Sequence, residues 1–367
     1  MEKKIKILFA IPRFSVGGAE KFLIHHLANI DRDVYDVRLI IIFAEQQGSS
    51  CAGEVHIDRC FRARSTWDIV AFFKMLAYVR TERFDVVVTH LFTANLLIRF
   101  AAIVSRVPVV ISYEHNIYPN KRHWQIVADQ VLARWTDRIV VDSPAAKTFT
   151  AEQEKISLEK FETIIIPPLL DTKGRRNREE VLRALAIPPD SIIIVTVSRL
   201  VIDKGHTYLI DAAGEILKKH GDVYFLIGGW GPLRADLEAQ VRRLSLDEHV
   251  RILGRVDGQE YTSLADIYVD PAISTDLPLG IMEAMLLGKA TVATSVGEIP
   301  QFVQDGKTGL VVPPADSMAL AMAVETMLSD EALRKRFGLA AKQKVSGYSM
   351  EEYMRTFDAL IAKCLST

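Results

Sequence analysis

Cysteine is scarce in this chain: Cys51, Cys60 and Cys364 are the whole supply. Three scattered thiols make neither a zinc site nor a disulfide framework. The sequon Asn-x-Ser/Thr does not occur. Neither sign of charge is in excess, since 45 basic side chains face 46 acidic ones, so nothing in the total argues for a nucleic-acid partner. Long apolar runs are missing as well. The longest stretch without a charge, residues 86–98, falls far short of the ~20 apolar residues of a spanning helix. The opening residues Met1-Glu2-Lys3-Lys4-Ile5-Lys6 lead into a short strand, not into the apolar core and cleavage site of a signal peptide. Low-complexity tracts and short-period repeats are absent too. These absences point to a reducing, cytoplasmic setting, with peripheral contact at the inner face of the membrane left open.

What is present fits a globular enzyme. At 367 residues the chain is long enough for two domains, each with its own core. Short apolar runs alternate with helical spacing. Residues 6–11, 37–43, 84–89, 107–112 and 138–141 read as strands. Residues 19–30 and 67–83 read as helices, and Asp142-Ser143-Pro144 is a good helix start. The proline- and arginine-rich stretch 167–189 breaks the pattern and reads as a connection with a short helix. The alternation then restarts, with strands at 191–198, 223–228, 250–253 and 290–294 and helices at 204–219, 231–244 and 279–287. A last helix covers 349–365. Continuous apolar strands between helices imply parallel sheets covered on both faces. The expected fold is therefore α/β, with two Rossmann-like doubly wound domains facing across a cleft. The expected boundaries are 1–170 plus 349–367 for the first domain and 171–348 for the second.

Ligands of such sheets bind at the carboxyl ends of the strands, so the loops after the strands carry the chemistry. Ser15-Val16-Gly17-Gly18-Ala19-Glu20 follows the first strand and opens a helix. Its glycines permit close backbone approach to an anion, yet it matches neither a dinucleotide fingerprint nor a P-loop. A bland tight turn explains it equally well. Arg199 and Lys204 flank the loop after residues 191–198. Two cations ahead of a helix N-terminus oppose the macrodipole, a conflict an anionic ligand would resolve; two solvated surface cations are the simpler reading. Gly228-Gly229-Trp230-Gly231-Pro232 is another glycine turn, with Pro232 expected in the first helical turn. Glu283 lies among apolar residues in a helix, an odd place for a carboxylate without a partner. The lone Asp-x-Asp, Asp31-Arg32-Asp33, falls between a helix and a strand rather than in a strand-end loop, so no metal is expected.

In order and spacing, Gly17-Gly18-Ala19-Glu20, His90-Leu91-Phe92-Thr93-Ala94-Asn95, Ser112-Tyr113-Glu114-His115-Asn116, Arg199 with Lys204-Gly205, Gly229-x-Gly231-Pro232, Leu253-Gly254, Glu283-Ala284-Met285 and Gly297-x-Ile299-Pro300 resemble glycosyltransferase family 4. That group comprises retaining transferases with the two-domain GT-B fold. The resemblance covers nearly the whole chain; single motifs are weak and the ordered set is strong. It implies a UDP-, GDP- or ADP-sugar donor and no required metal. It implies that Arg199 and Lys204 bind the donor diphosphate and stabilise the leaving group, that Gly18 beside Gly17 offers a backbone N–H, and that Glu283 holds the ribose. Gly229 with Leu253, Arg255 and Val256 would line the nucleotide. The backbone of Ile281 and Met282, with Leu279 and Gly280 before them, would face the phosphates. His115 would touch the transferred sugar. His90, Asn95, Glu114 and Asn116 would belong to acceptor-side loops, and the last helix would cross back to the first domain.

One position departs from the family pattern. Where the family carries the first glutamate of Glu-x7-Glu, this chain has Thr275 beside Asp276. A threonine can bond a hydroxyl but carries no charge, so the sugar end of the site is open to question. The acceptor expected from the resemblance is a glycan or a polyprenyl-phosphate-linked sugar in surface-polysaccharide, glycolipid or oligosaccharide synthesis. Residues 59–83 are rich in Arg and aromatics, including Arg59, Arg62, Arg64, Trp67, Phe72 and Phe73. They read either as a membrane-facing surface or as an ordinary sheet-covering helix with exposed arginines, and the aromatics favour the latter. Two further functions remain beside sugar transfer: a nucleotide-sugar epimerase of the same fold, or a non-catalytic nucleotide-sugar-binding protein.

Overall fold

The computed structural model describes residues 3–14, 18–44, 55–115, 117–170 and 175–366. The chain forms two compact units, Met1–Ile166 with Met350–Thr367, and Pro167–Ser349.

The first unit is built on β1 (Ile5–Ile11), α1 (Gly18–Asn29), β2 (Tyr35–Ile41), β3 (Arg59–Cys60), α2 (Ile69–Glu82), β4 (Val86–His90), α3 (Leu91–Val104), β5 (Val109–Glu114), α4 (His123–Leu132), β6 (Arg138–Val141), α5 (Pro144–Glu154) and β7 (Phe161–Thr163). Its sheet runs β3-β2-β1-β4-β5-β6-β7, with parallel pairing throughout. Every residue of β4 and β5 is buried, the burial expected of central strands covered by helices on both sides. Local chemistry sets the helix starts. Asp68 caps α2 by accepting from Ala71 N, and Ser143 caps α5, with Pro144 in its first turn.

The second unit contains α6 (Arg178–Ala184), β8 (Ile192–Val197), α7 (His206–Ile216), β9 (Val223–Gly228), α8 (Arg234–Arg243), β10 (Val250–Gly254), α9 (Gly258–Leu264), β11 (Ile267–Asp270), α10 (Leu279–Leu286), β12 (Ala290–Thr294), α11 (Ile299–Phe302), β13 (Leu310–Val312), α12 (Ser317–Ser329) and α13 (Glu331–Val345). Its sheet order is β10-β9-β8-β11-β12-β13. Asn177 and Glu180 form a reciprocal capping box on α6. The last helix, α14 (Met350–Leu365), packs on the first unit. There Tyr353 meets the Tyr113 hydroxyl at 2.5 Å and Asp358 accepts from Tyr35 at 2.8 Å.

Several boundaries differ from the sequence expectation. The helix expected at 204–219 begins only at His206, because Ile202–Lys204 is a 3-10 turn and Gly205 takes φ 63°. The helix expected at 231–244 begins at Arg234, which leaves Pro232 in the turn before it. The stretch 86–98 is strand β4 running directly into α3. Asn95, expected in a loop, therefore stands inside a helix.

Candidate functional site

In each sheet the strand order reverses once, between β1 and β4 in the first unit and between β8 and β11 in the second. Loops diverge to opposite sides at such a point and leave a crevice. In the second unit the loop after β8 holds Arg199 and Lys204, and it is laced to its neighbours on both sides. Toward β9, Ser198 N donates to Gly228 O, Leu200 N to Trp230 O at 2.9 Å and Leu233 N to Leu200 O. Toward β11, Ile273 N donates to Asp203 O at 2.9 Å. Two glycines make this closeness possible. A Cβ on Gly229 would sit 1.8 Å from Ser198 O, and one on Gly205 would sit 2.0 Å from Pro271 O.

Across the crevice, Lys204 Nζ donates to Thr275 Oγ1 at 2.9 Å. This bond joins the loops after β8 and β11. Lys204 also acts on Asp270 at the end of β11. Burial pushes that carboxyl up, and the nearby ammonium partly opposes the shift. Arg199 is exposed at the loop surface. Asp276 is half-buried beside Thr275. Glu283, half-buried on α10, accepts from Gln259 Nε2 at 3.3 Å. Leu279 and Gly280 open α10, and Ile281 and Met282 are fully buried. Of the backbone expected to face the phosphates, the Met282 N–H donates to Pro278 O at 3.0 Å. The helix starts early enough to use that fourth amide. Leu253, one residue before the end of β10, is half-buried, Val256 lies close against Gly228, and the Arg255 guanidinium stacks over the exposed Trp230 ring at 5.2 Å. A cation over an exposed indole is a surface on which a flat ring can stack.

The first unit arranges its polar residues differently. Gly18 starts α1, while Gly17 and Asn116 lie outside the described residues. His90 ends β4, and its Nδ1 meets His115 Nε2 at 2.9 Å; His115 Nδ1 faces Asp142 Oδ2 at 3.3 Å. With Asp142 ionised, His115 donates from Nδ1 and accepts at Nε2. The His115 side chain is only 2% exposed, so both of its nitrogens are engaged inside the protein. Burial, with His115 and His26 nearby, pushes His90 well below its ordinary pKa. His90 Nε2 and Asp142 Oδ1 are buried without a hydrogen-bond partner among the described residues.

Behind this chain lies a charged cluster that sequence reading did not find. Arg99 donates to Asp129 at 2.8 Å with both side chains 1% exposed. Lys121 donates to Asp129 at 2.9 Å and to Glu154, and stands 3.9 Å from Glu114. Asn95 donates to Glu114 Oε1 and to Tyr113 O. Burial raises both Glu114 and Glu154, and the surrounding carboxylates hold Lys121 firmly charged. Lys121 sits in the string Asn120-Lys121-Arg122-His123, which reads as a solvated turn. Its partners are 8 and 33 residues away, so no local signal could reveal them. Among the described residues, no group of three His, Cys, Asp or Glu side chains is placed to hold a metal ion.

Comparison with known proteins gives two family matches. Residues 177–344 match the model for glycosyl transferases group 1, and residues 16–172 match that for glycosyltransferase family 4. The chain is 28% identical to an alpha-D-kanosaminyltransferase of Streptomyces kanamyceticus over 66% of this chain and 67% of that protein. It is 31% identical to a D-inositol 3-phosphate glycosyltransferase of Corynebacterium diphtheriae over 61% of this chain, but covers only 55% of that protein. A Campylobacter jejuni N-acetylgalactosaminyltransferase acting on an undecaprenol-linked glycan is 24% identical over 98% of this chain and 99% of its own length. Among solved structures, Anabaena Alr3699/HepE in complex with UDP and glucose superposes with a TM-score of 0.83 at 22% identity, covering 98% of this chain and all of that one. Another neighbour, a sucrose-phosphate synthase from Thermosynechococcus elongatus, has a TM-score of 0.77 at 18% identity over 99% of this chain and 100% of that one.

Proposed function

The chain belongs to the group 1 glycosyltransferases of family 4 and has the GT-B fold, and from that premise we propose that it transfers a hexose-type sugar from a nucleoside-diphosphate sugar with retention of anomeric configuration. The observation that carries this reading is the Lys204–Thr275 bond, which sets a cation at the point where the sheet order reverses, in the same loop as the exposed Arg199. Transfer leaves a nucleoside diphosphate, so negative charge grows on the departing oxygen. Donors already in place for that charge give the largest catalytic gain, with one donor contributing roughly 10²–10³ in rate. Arg199 and Lys204 are assigned that role.

Glu283 is assigned to the ribose hydroxyls, held in orientation by Gln259. The Trp230–Arg255 stack, with Leu253 and Val256, is assigned to the base. Thr275 and Asp276 face the sugar; because Thr275 is neutral, its contribution is a hydroxyl contact rather than a charge. His115, backed by Asp142, meets the sugar by exchanging its His90 bond for a hydroxyl, and the unpartnered His90 Nε2 and Asp142 Oδ1 are the polar capacity that a polyhydroxylated ligand satisfies. The acceptor class is a glycan or polyprenyl-phosphate-linked sugar, in line with the undecaprenol-linked acceptor named for the Campylobacter jejuni relative.

The direct test is a thermal-shift screen of UDP-, GDP- and ADP-sugars on the intact protein. Saturating donor raises the melting temperature by mass action, by about 2.7 kcal/mol of added stability at 100 times Kd. One base is expected to stabilise clearly more than the others. No stabilisation by any nucleotide sugar would remove the donor assignment.

A further inference from the structure

The first unit carries an apolar face that its own core leaves uncovered. Trp67 is 68% exposed and Phe73 61%; they flank Ile69 and Val70, which are equally open, at the start of α2. The face continues without a break onto two helices that sequence reading did not anticipate. Trp67 lies 5.3 Å from Trp124 of α4, Trp124 lies 5.6 Å from Phe92 of α3, and Phe72 lies 5.8 Å from both Phe73 and Phe100. Between these rings is a groove of about 530 Å³, floored by Leu96, Leu97 and Leu132. Val127, Val131 and Trp135 extend the apolar surface along and beyond α4. Soluble monomers rarely leave contiguous apolar patches of this kind without a use for them.

The charges around the face are of one sign. Arg62, Arg64, Lys74, Arg122 and Arg134 are exposed, and none has a carboxylate within ion-pair distance among the described residues. The same segments, residues 62–74, 91–106 and 122–134, contain no exposed acid. Asp68 is taken up as the cap of α2, accepting from Ala71 N and Arg64 N. Asp129 is buried in the Arg99–Lys121 cluster.

We propose that this face docks onto an anionic lipid bilayer, with Trp67, Ile69, Val70, Phe73, Trp124 and Trp135 entering the interface and the five cations meeting lipid phosphates. Tryptophans at headgroup depth with basic side chains around them are the composition that suits a membrane–water interface. The pattern disfavours a second copy of the chain as occupant, because pairing the face with itself brings unpaired cations together. It also disfavours a single lipid tail held in the groove. Val70, Phe73 and Trp135, among the most exposed apolar side chains, stand outside the groove lining, where a bilayer reaches them and one chain does not. This inference concerns only the first unit and does not depend on which donor the second unit binds.

The test is vesicle flotation of the full-length protein. Phosphatidylglycerol–phosphatidylcholine vesicles are expected to carry the protein at ~0.1 M salt, and pure phosphatidylcholine vesicles are not. Raising the salt should release it, because screening shortens to a few ångströms near 1 M. R62E with R64E is expected to weaken partition at least ~10-fold, since each basic side chain near such a surface contributes about fivefold. W67S with F73S should do the same while leaving the melting temperature and the donor-induced shift unchanged, which separates failure here from failure of the donor reading. Equal binding to neutral and anionic vesicles, or wild-type binding by both variants, overturns the proposal. So does absence of vesicle binding together with a sedimentation-velocity dimer that W67S with F73S dissociates, since that result assigns the face to a second copy.

Discussion

In the first unit Arg99, Lys121, Glu114, Asp129 and Glu154 are buried against one another, and His115 has both ring nitrogens engaged. In the second unit Arg199 stands exposed and Lys204 reaches a neutral threonine. The two groups use charge in different ways. A buried, internally matched cluster spends its interactions on holding a shape; removing one member leaves another charge stranded in a poor solvent. A half-open cation facing a neutral partner keeps most of its interaction capacity for a ligand. The contrast separates two uses of charge: the Arg99–Lys121 cluster holds the shape of the first unit, whereas Arg199 and Lys204 are proposed to meet a ligand.

The comparison breaks first at Arg99. Arg99→Ala leaves Asp129 with Lys121 alone and is expected to lower unfolding stability by about 3–5 kcal/mol in a urea titration, while the melting-temperature rise given by a bound donor persists in whatever fraction folds. A change within ~0.5 kcal/mol would mean that the cluster is not structural. In the second unit the expected signature is the reverse. Lys204→Ala and Glu283→Ala should each cut sugar transfer at least ~10²-fold, about 2.7 kcal/mol, at unchanged melting temperature; wild-type turnover in either variant ends the assignment of roles.

The pH dependence sharpens the same contrast. Burial pushes His26 of the first unit down to about 3 from an ordinary 6.5. Between those values the unfolded chain binds a proton that the folded chain refuses. Stability from this residue is therefore complete above 6.5 and falls as pH drops toward 3, by up to about 1.4 kcal/mol per pH unit. Chemical denaturation between pH 4 and 7 should show this acid slope, reduced in His26→Gln. His206 of the second unit, pushed down to about 4 by burial, adds a slope of the same sign that His26→Gln leaves in place. The smallest expected effect is at Thr275. Thr275→Val removes the oxygen that holds Lys204 and should raise KM for the donor by ~5–10-fold, with kcat less affected. An unchanged KM would show that the Lys204–Thr275 bond does not position the cation.

Much of the second unit was readable because its signals are local. The runs at β8 and β9 are largely apolar, and Arg199, Lys204 and Glu283 stand in the loop and helix where linear spacing puts them. What escaped is short or long-range. Strand β11 has four residues, Ile267–Asp270, and unlike the equally short β6 no helix-start signal such as Asp142-Ser143-Pro144 follows it. Helix α3 follows β4 with no capping side chain, His90 making no cap bond, so the charge-free stretch 86–98 offers no mark of where strand becomes helix. In the sequence the basic, aromatic segment 59–83 reads mainly as sheet cover. That holds for Phe61, which is buried, and fails for Trp67 and Phe73, which are exposed.

The sequence by itself determined the α/β alternation, the family, and the order of the residues proposed to handle the donor, because strand burial, glycine turns and motif spacing are properties of neighbouring residues. Only the tertiary structure decided that Lys204 meets Thr275 71 positions away, that Lys121 is buried rather than solvated, that His115 is sealed between His90 and Asp142, and that aromatics from three helices merge into one exposed face. The physical reason is common to all four. The order of strands in the sheet, not distance along the chain, determines which loops and helix faces become neighbours, and a side chain's charge or exposure acquires its meaning from those neighbours.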